Sequence, residues 1–517
     1  MLFKSSTKQL NYLNQGQNRA FIRGSLYVLI ALLCGVSLTT GQAPFHASAD
    51  FIGLDSNLYM HVSKYFTSEI FNQSYNGYQI QRIFPFALIN VLFQAFHVPM
   101  TDANFLLSQT ICNALALIIG IYLLFKISDH LKWSLTIEII AFSCLFLNFH
   151  TLKIAVCMPF NTDHYALLLS LIMLYAYLRD RGWLILLSGI VGAFSWPTLL
   201  ITSLLLYLFA KQPFVIQSRT CLSRLSQRAM SLLRVGGALI VLPVLMLTFY
   251  MYASPKTWDG LGSIYQGSWF DYNYINQVVT LCAILCEMIF VYRMLLPFRF
   301  EIGDLWQSIR KTITPYRCFW AAFVLFAVKI IQYLLTNNES FWDAAGMIKH
   351  TALRATSLPF VFLEAHFVFY GLLVVLLLFH WRKALTSYSQ YGLGYLGVIA
   401  MMMILAVNSE SRYMIYLLPF AVVPFLDSIK TIPIKRWVPW VILICQLLLS
   451  RFWLPFGSDW LLKIMRLDLP HPSRNGLDNG AFQHVEMYIV GSILLLIVMG
   501  IYYWGKKKSW FINSVEK

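Results

Sequence analysis

Apolar stretches of about twenty residues recur along this chain, separated by short connections rich in lysine and arginine, and that alternation leaves few folds open to it. A helix needs about 20 apolar residues to cross the hydrocarbon core of a bilayer. Such stretches fall near 24–40, 103–126, 134–150, 163–178, 183–195, 197–210, 235–253, 274–293, 318–336, 360–380, 389–407, 413–427, 437–451 and 486–504. That is about 14 spans, the shorter ones being tolerated when packed or kinked. Charged residues make up 12% of the chain, where a soluble domain carries about 25%. The sequence therefore predicts an all-α, polytopic transmembrane helical bundle. The two short runs flanking Ser195-Trp196-Pro197 predict a helical hairpin.

Orientation turns on one segment. Ile83 to Phe96 is apolar but short, and reads as an interfacial or re-entrant helix. Both termini then lie on one side, and that side holds 27 of the 39 lysines and arginines. The opposite loops, 41–102, 151–162, 254–273, 337–359, 408–412 and 452–485, hold most of the acids. If 83–96 crossed, every later loop would break the positive-inside bias, so the basic side is read as cytoplasmic. The net charge of +16 is explained by this bias, and no nucleic-acid partner is implied. The chain divides into a cytoplasmic tail (1–23), a transmembrane core (24–253) containing the long outer loop 41–102, a second bundle (254–504) with outer loops 337–359 and 452–485, and a basic tail (505–517). Of nine cysteines only Cys157 lies near an outer loop, so no disulfide framework is expected. No phosphate-cradling glycine loop, HExxH or paired CxxC is present.

Chemistry is therefore sought in the outer loops. Asp50, Asp55, Tyr59, His61, Lys64 and Glu69 follow one another in the first. With 55–66 helical, Asp55, Tyr59 and Val62 share a face, and Asp55 sits near the helix start, where an acid is favoured. Asp55 reads equally as a helix cap or as a base that takes a proton from an incoming hydroxyl. Asp163 and His164 stand where a helix enters the apolar region, as a cap or as substrate contacts. Arg82, Lys153, Arg354 and Arg412 are cations on the same side, able to meet a phosphate; Arg412 follows Glu410 and reads equally as half of a local ion pair. Glu287, Lys329, Glu364 and His366 fall inside apolar runs, where ionisable groups face a bundle or cavity; Lys329 is a partner for Glu287 or Glu364.

Four segments together resemble the GT-C superfamily of membrane glycosyltransferases. Gly53-Leu54-Asp55-Ser56-Asn57-Leu58-Tyr59 is similar to its acid-xxx-Tyr first-loop motif, and Tyr78-Gln79-Ile80-Gln81-Arg82-Ile83-Phe84-Pro85 to its Arg-xx-Pro segment. Pro159 to Tyr165 enters a helix ending in Arg179-Asp180-Arg181-Gly182, followed by a Gly-rich hairpin, Leu187 to Pro197. Glu410-Ser411-Arg412-Tyr413 precedes Leu417-Leu418-Pro419, like a late Glu-Arg-Tyr-Leu-x-Pro segment. The resemblance covers 20–210 best and 408–427 less fully. The chain departs from it in lacking an adjacent acidic pair, Asp50 and Asp55 being five apart, and in Trp196 where a basic residue is common.

The resemblance implies a GT-C-like fold with juxtamembrane helices in the first outer loop. It implies an inverting enzyme that moves a sugar from a polyprenyl-phosphate carrier to a glycan, lipid or protein acceptor. Asp55 would be the catalytic base, Asp50 or Asp163 a second acid, and Arg82 and Arg412 phosphate contacts, with Tyr59, His164 and Arg354 also on the substrate side. The donor is a lipid-linked sugar; no other cofactor is expected, and a divalent metal is compatible with these acids but not implied by them. The expected setting is a bacterial inner membrane, multi-pass, with the site facing the periplasm and membrane lipid around it. The alternatives are an envelope glycan polymerase or ligase, and a lipid or solute transporter.

Overall fold

The computed structural model describes residues 2–41, 56–154, 156, 159–209, 211–216, 223–239, 274–337, 359–408, 410–452 and 485–507. Asp50, Asp55 and Arg354 lie outside them, as do outer loop 254–273 and most of loops 337–359 and 452–485.

Among the described residues the regular structure is helical, apart from one isolated bridge between Tyr75 and Thr336. In chain order the helices are α1 (Leu2–Gly41), α2 (Ser56–Glu69), α3 (Phe84–Ala95), α4 (Asp102–His130), α5 (Leu135–Phe146), α6 (Asp163–Leu178), α7 (Gly182–Ala193), α8 (Thr198–Leu208) and α9 (Arg224–Leu239). They continue as α10 (Tyr274–Leu295), α11 (Ile302–Thr312), α12 (Pro315–Leu335), α13 (Val361–Tyr370), α14 (Leu372–Gln390), α15 (Leu393–Leu405), α16 (Leu418–Ile429), α17 (Val438–Leu449) and α18 (Val485–Lys507).

The bundle is apolar outside as well as inside. On α4, Leu107, Ile111, Leu115, Ile118 and Tyr122 form one exposed stripe; on α12, Phe319, Phe323, Phe326, Ile330 and Tyr333 form another. Faces of this kind suit lipid and not water. Five stretches, 17–39, 102–130, 315–335, 411–429 and 488–507, are long and apolar enough to cross a bilayer, and α13 with α14 makes a sixth if a bent pair counts as one.

Of the about 14 expected spans, short ones included, five or six are long and apolar enough to cross among the described residues. Seven further apolar helices, α3, α5, α6, α7, α8, α15 and α17, fall in the 10–17 residue class. At 1.5 Å per residue a 12-residue helix reaches only about 18 Å. The apolar runs had included turn residues that end the helices. The run 134–150 stops as an α-helix at Phe146 and resumes as a π-helical turn, His150–Ile154. The run 360–380 breaks at Gly371, whose φ of +64° ends one helix and starts the next at an angle of 119°. The prediction for 83–96 agrees with α3, a 12-residue helix lying against α2.

At the centre are α5 and α16, apolar on every side. Ile137 to Phe146 and Leu418 to Leu426 are buried throughout. Pro424 sits inside α16 and has no N–H for the carbonyl of Phe420. Tyr395 Oη donates to that carbonyl (2.7 Å), and Tyr388 Oη to the neighbouring carbonyl of Ala421 (2.9 Å). The break at Gly371 is closed similarly. Gln446 accepts from Leu372 N (2.7 Å) and donates to the carbonyl of Tyr370 (3.1 Å).

The predicted basic side is one end of the bundle. Trp133 Nε1 donates to Asp427 (3.0 Å), Lys211 Nζ to the carbonyl of Leu178 (3.2 Å), Phe214 N to that of Ser389 (2.8 Å) and Lys430 Nζ to that of Leu131 (3.3 Å). Here too lies Glu138, fully buried in α5 and not anticipated from the sequence as a buried acid. Arg19 and Arg23 of α1 reach it at 2.5 and 2.7 Å, Ser128 donates to it at 2.6 Å, and Arg23 also meets Asp129 at 2.6 Å.

Two outcomes follow. Glu138→Gln leaves two arginines short of a carboxylate, and the loss, reduced because both guanidiniums are partly solvated, is on the order of 2 kcal/mol. Thermal unfolding in detergent will show a lower midpoint, whereas Asp129→Asn, at the solvated edge, will shift it by much less. In a cysteine-free background, Asn72→Cys will react with a membrane-impermeant maleimide from outside intact cells, and Arg224→Cys only after permeabilisation.

Candidate functional site: a buried acid between two arginines

The opposite end of the bundle is assembled from distant segments. The capping box at Asn76 and Gln79 (2.8 and 3.0 Å) starts a single turn, Gly77–Ile80, that carries the chain to Arg82. Phe84 N then donates to the carbonyl of Phe194 (2.8 Å), which fastens the first loop to the tip of the hairpin α7–α8. The hairpin is tight because glycine lets its helices touch. A Cβ on Gly192 would stand 2.6 Å from Leu199 Cβ, and one on Gly189 would strike Ser203. Gln332 of α12 binds the carbonyl of Ala193 (2.9 Å), and Asn113 of α4 that of Pro159 (2.9 Å). The first loop is thus tied to the hairpin, the hairpin to α12, and the segment before α6 to α4.

Asp163, the first residue of α6, is completely buried. Neither carboxylate oxygen has a hydrogen-bond partner in another described residue. Its field comes chiefly from Arg412, then Arg82, with Glu410 opposing. Arg412 is ion-paired to Glu410. The Arg82 guanidinium carbon lies over the ring of Tyr78 (3.9 Å) and near that of Trp196 (5.6 Å), and its Nη1 is buried without a hydrogen-bond partner. An orphaned carboxylate and an orphaned guanidinium nitrogen in one buried place form a site for a ligand with both hydroxyl and anionic groups.

A second set adjoins it. His150, on the π-helical turn, is fully buried with both ring nitrogens unsatisfied, and its ring centre is 5.3 Å from that of His164. His164 Nε2 is also unsatisfied. π-Helical turns recur at functional sites, because they re-aim side chains within a helix. His366, by contrast, is held by Ser411 (3.0 Å) and by the carbonyl of Ala406 (2.8 Å). Tyr370 Oη donates to the carbonyl of Ser411, fixing the turn that carries Arg412.

Of the residues singled out in the sequence, Asp163, Arg82 and Arg412 are brought together, and His164 lies next to them in the chain. Tyr59 is in the apolar packing instead, its ring stacked on Phe86 at 4.4 Å. Lys153 is buried on the turn that carries His150 and donates to the carbonyl of Phe452 (3.4 Å). Lys329 donates to Gln332 (3.1 Å), while Glu364 interacts with Arg451. His150 was not anticipated, because it closes an apolar run and reads there as part of a span. Among the described residues no group of three or more metal-binding side chains converges.

The hairpin contact carries the site's position, so Gly192→Val will push α7 from α8 and displace the Trp196–Arg82 contact. The expected result is a loss of about 2 kcal/mol or more from overpacking, measured as a lowered unfolding midpoint, while Gly303→Ala, at a position open around its Cβ, leaves it unchanged. Comparison of the chain with protein-family models, with curated proteins and with solved structures finds no match.

Proposed function

We propose that this protein is a membrane glycosyltransferase that moves a sugar from a polyprenyl-phosphate carrier to an acceptor hydroxyl at the outer end of the bundle. The observation that carries this reading is the fully buried, unpartnered Asp163 in the field of Arg82 and Arg412. The order of the four segments that resemble the GT-C superfamily supports it. In the reaction, the acceptor oxygen attacks the anomeric carbon as the bond from that carbon to the phosphate oxygen breaks. One displacement inverts the configuration. Asp55 takes the acceptor's proton. Arg82 and Arg412 stabilise the charge that grows on the leaving phosphate. Asp163 orients the acceptor or sugar hydroxyls as the second acid. Arg82 is held against Tyr78 and Trp196, so little ordering cost remains when phosphate arrives.

A second reading is favoured by one feature. The bent pair α13–α14 carries buried Glu364 and His366 just before its break at Gly371, and broken helices with buried ionisable groups are found in transporters.

One experiment separates the two. Envelope glycans and polyprenyl-linked sugars are compared by mass spectrometry in cells with the wild-type protein, with none, and with Asp55→Asn or Asp163→Asn. Transfer predicts that deletion and Asp55→Asn lose the same sugar while the carrier-linked sugar accumulates. It also predicts that the rate with Asp55→Asn falls by about 100-fold or more. Full glycan modification by both aspartate variants, made at normal protein levels, would sink the transferase reading.

A further inference from the structure

At the basic end a groove of about 400 Å³ lies between α14, α16, α17 and α18. Its walls are apolar, with Leu376, Phe425, Val441, Cys445 and Val498 among them. Its rim includes Trp437 and Ile501, both about half exposed. Polar groups gather at one end only. His380 Nε2 and Tyr502 Oη are hydrogen-bonded at 2.6 Å, and Lys506 lines the groove beside them. His380 also lies in the field of both Lys506 and Lys383. The helix α14 leaves helical geometry at His380 itself.

We infer that this groove binds one acyl chain of an anionic glycerophospholipid, whose phosphate is met by Lys506 and Lys383. Size and lining fit a hydrocarbon chain, for the volume lies within the usual range of small-ligand sites, about 300–1,000 Å³. The apolar wall cannot select this occupant, because lipid tails are as apolar as leucine and gain nothing by exchanging bilayer for protein. Selectivity must come from the headgroup. The described lining residues include Lys506 and no acid, and Lys383 acts with Lys506 on His380 at the same place, so the groove favours a negative phosphate over a zwitterion. The place agrees: this is the end at which Arg19, Arg23, Lys211 and Lys430 gather, the side on which basic groups face anionic lipid. The site is at the other end of the bundle from Asp163 and does not depend on the transferase reading.

The test uses the purified full-length protein in micelles containing equal amounts of dioleoyl phosphatidylglycerol and dioleoyl phosphatidylcholine, with retained lipid counted by native mass spectrometry. The wild type is expected to retain one phosphatidylglycerol in preference to phosphatidylcholine by at least about five-fold, the effect of a single lysine near a charged headgroup. In Lys383→Gln/Lys506→Gln, two surface changes that leave the walls intact, the preference falls towards one. In Leu376→Trp, which fills the groove from its wall, the bound lipid is lost while the lysines remain. Equal retention of both lipids by the wild type overturns the inference, as does a preference that survives removal of both lysines. Retention undiminished by Leu376→Trp also overturns it, and so does a groove already closed by another part of the chain, seen as no retained lipid.

Discussion

A break in a helix within a bilayer exposes N–H and C=O groups to a medium that cannot hydrogen-bond them, and each such group must be answered from inside the protein. This requirement accounts for much of the polar sequence at the centre of the bundle. Pro424 strips one donor from α16, and the carbonyl it leaves is taken by Tyr395. Gly371 turns the chain through a large angle, and the amide of Gln446 serves the groups on both sides of the turn. Neither Tyr395 nor Gln446 could be replaced by a residue of matching size and no polarity without stranding a backbone group. Short helices are tolerated where the breaks between them are answered in this way, as at Gly371.

The two ends of the bundle obey the same electrostatics and reach opposite results. At the basic end a buried carboxylate, Glu138, receives two guanidiniums and a hydroxyl. Both carboxylate oxygens are met, and the network joins α1 to α4 and α5. At the other end Asp163 is as deeply buried, yet its oxygens meet no donor from another described residue, and Arg82 spends its face on two aromatic rings. The carboxylate is saturated at one end and unsaturated at the other, which is what the proposed site requires. That contrast locates the candidate site more firmly than burial or charge alone.

Periodic features of this kind were readable from the sequence, and pairwise ones were not. The apolar runs foretold where helices form, since burial and lipid contact both demand apolar residues. The short run at 83–96 forms a helix of 12 residues, as its length suggested. The hairpin at Ser195-Trp196-Pro197 was visible from its proline and the glycines before it. What escaped were decisions made by distant neighbours. Glu138 looked like part of a span, because only the arrival of Arg19 and Arg23, more than a hundred residues earlier, makes it tolerable. His150 looked like the end of a helix, because a π-helical turn has no composition of its own. The break at Gly371 was hidden in an unbroken apolar run, and its signal, a glutamine at 446 in another helix, has meaning only once the two are seen together.

The glycines of α7 connect these levels. Gly189 and Gly192 bring α7 against α8 at a distance no larger residue permits, and the hairpin's tip is thereby held where Phe194 can accept from Phe84. That one hydrogen bond anchors the chain two residues after Arg82. The same tip carries Trp196, on which the Arg82 guanidinium rests, and Trp196 in turn packs near Tyr413, next to Arg412. Trp196 thus links the segment that carries Arg82 to the turn that carries Arg412. Where the resemblance to the GT-C superfamily leads one to expect a cation at this position, the chain has an indole, and Arg82 and Arg412 come from the first loop and from the turn before α16.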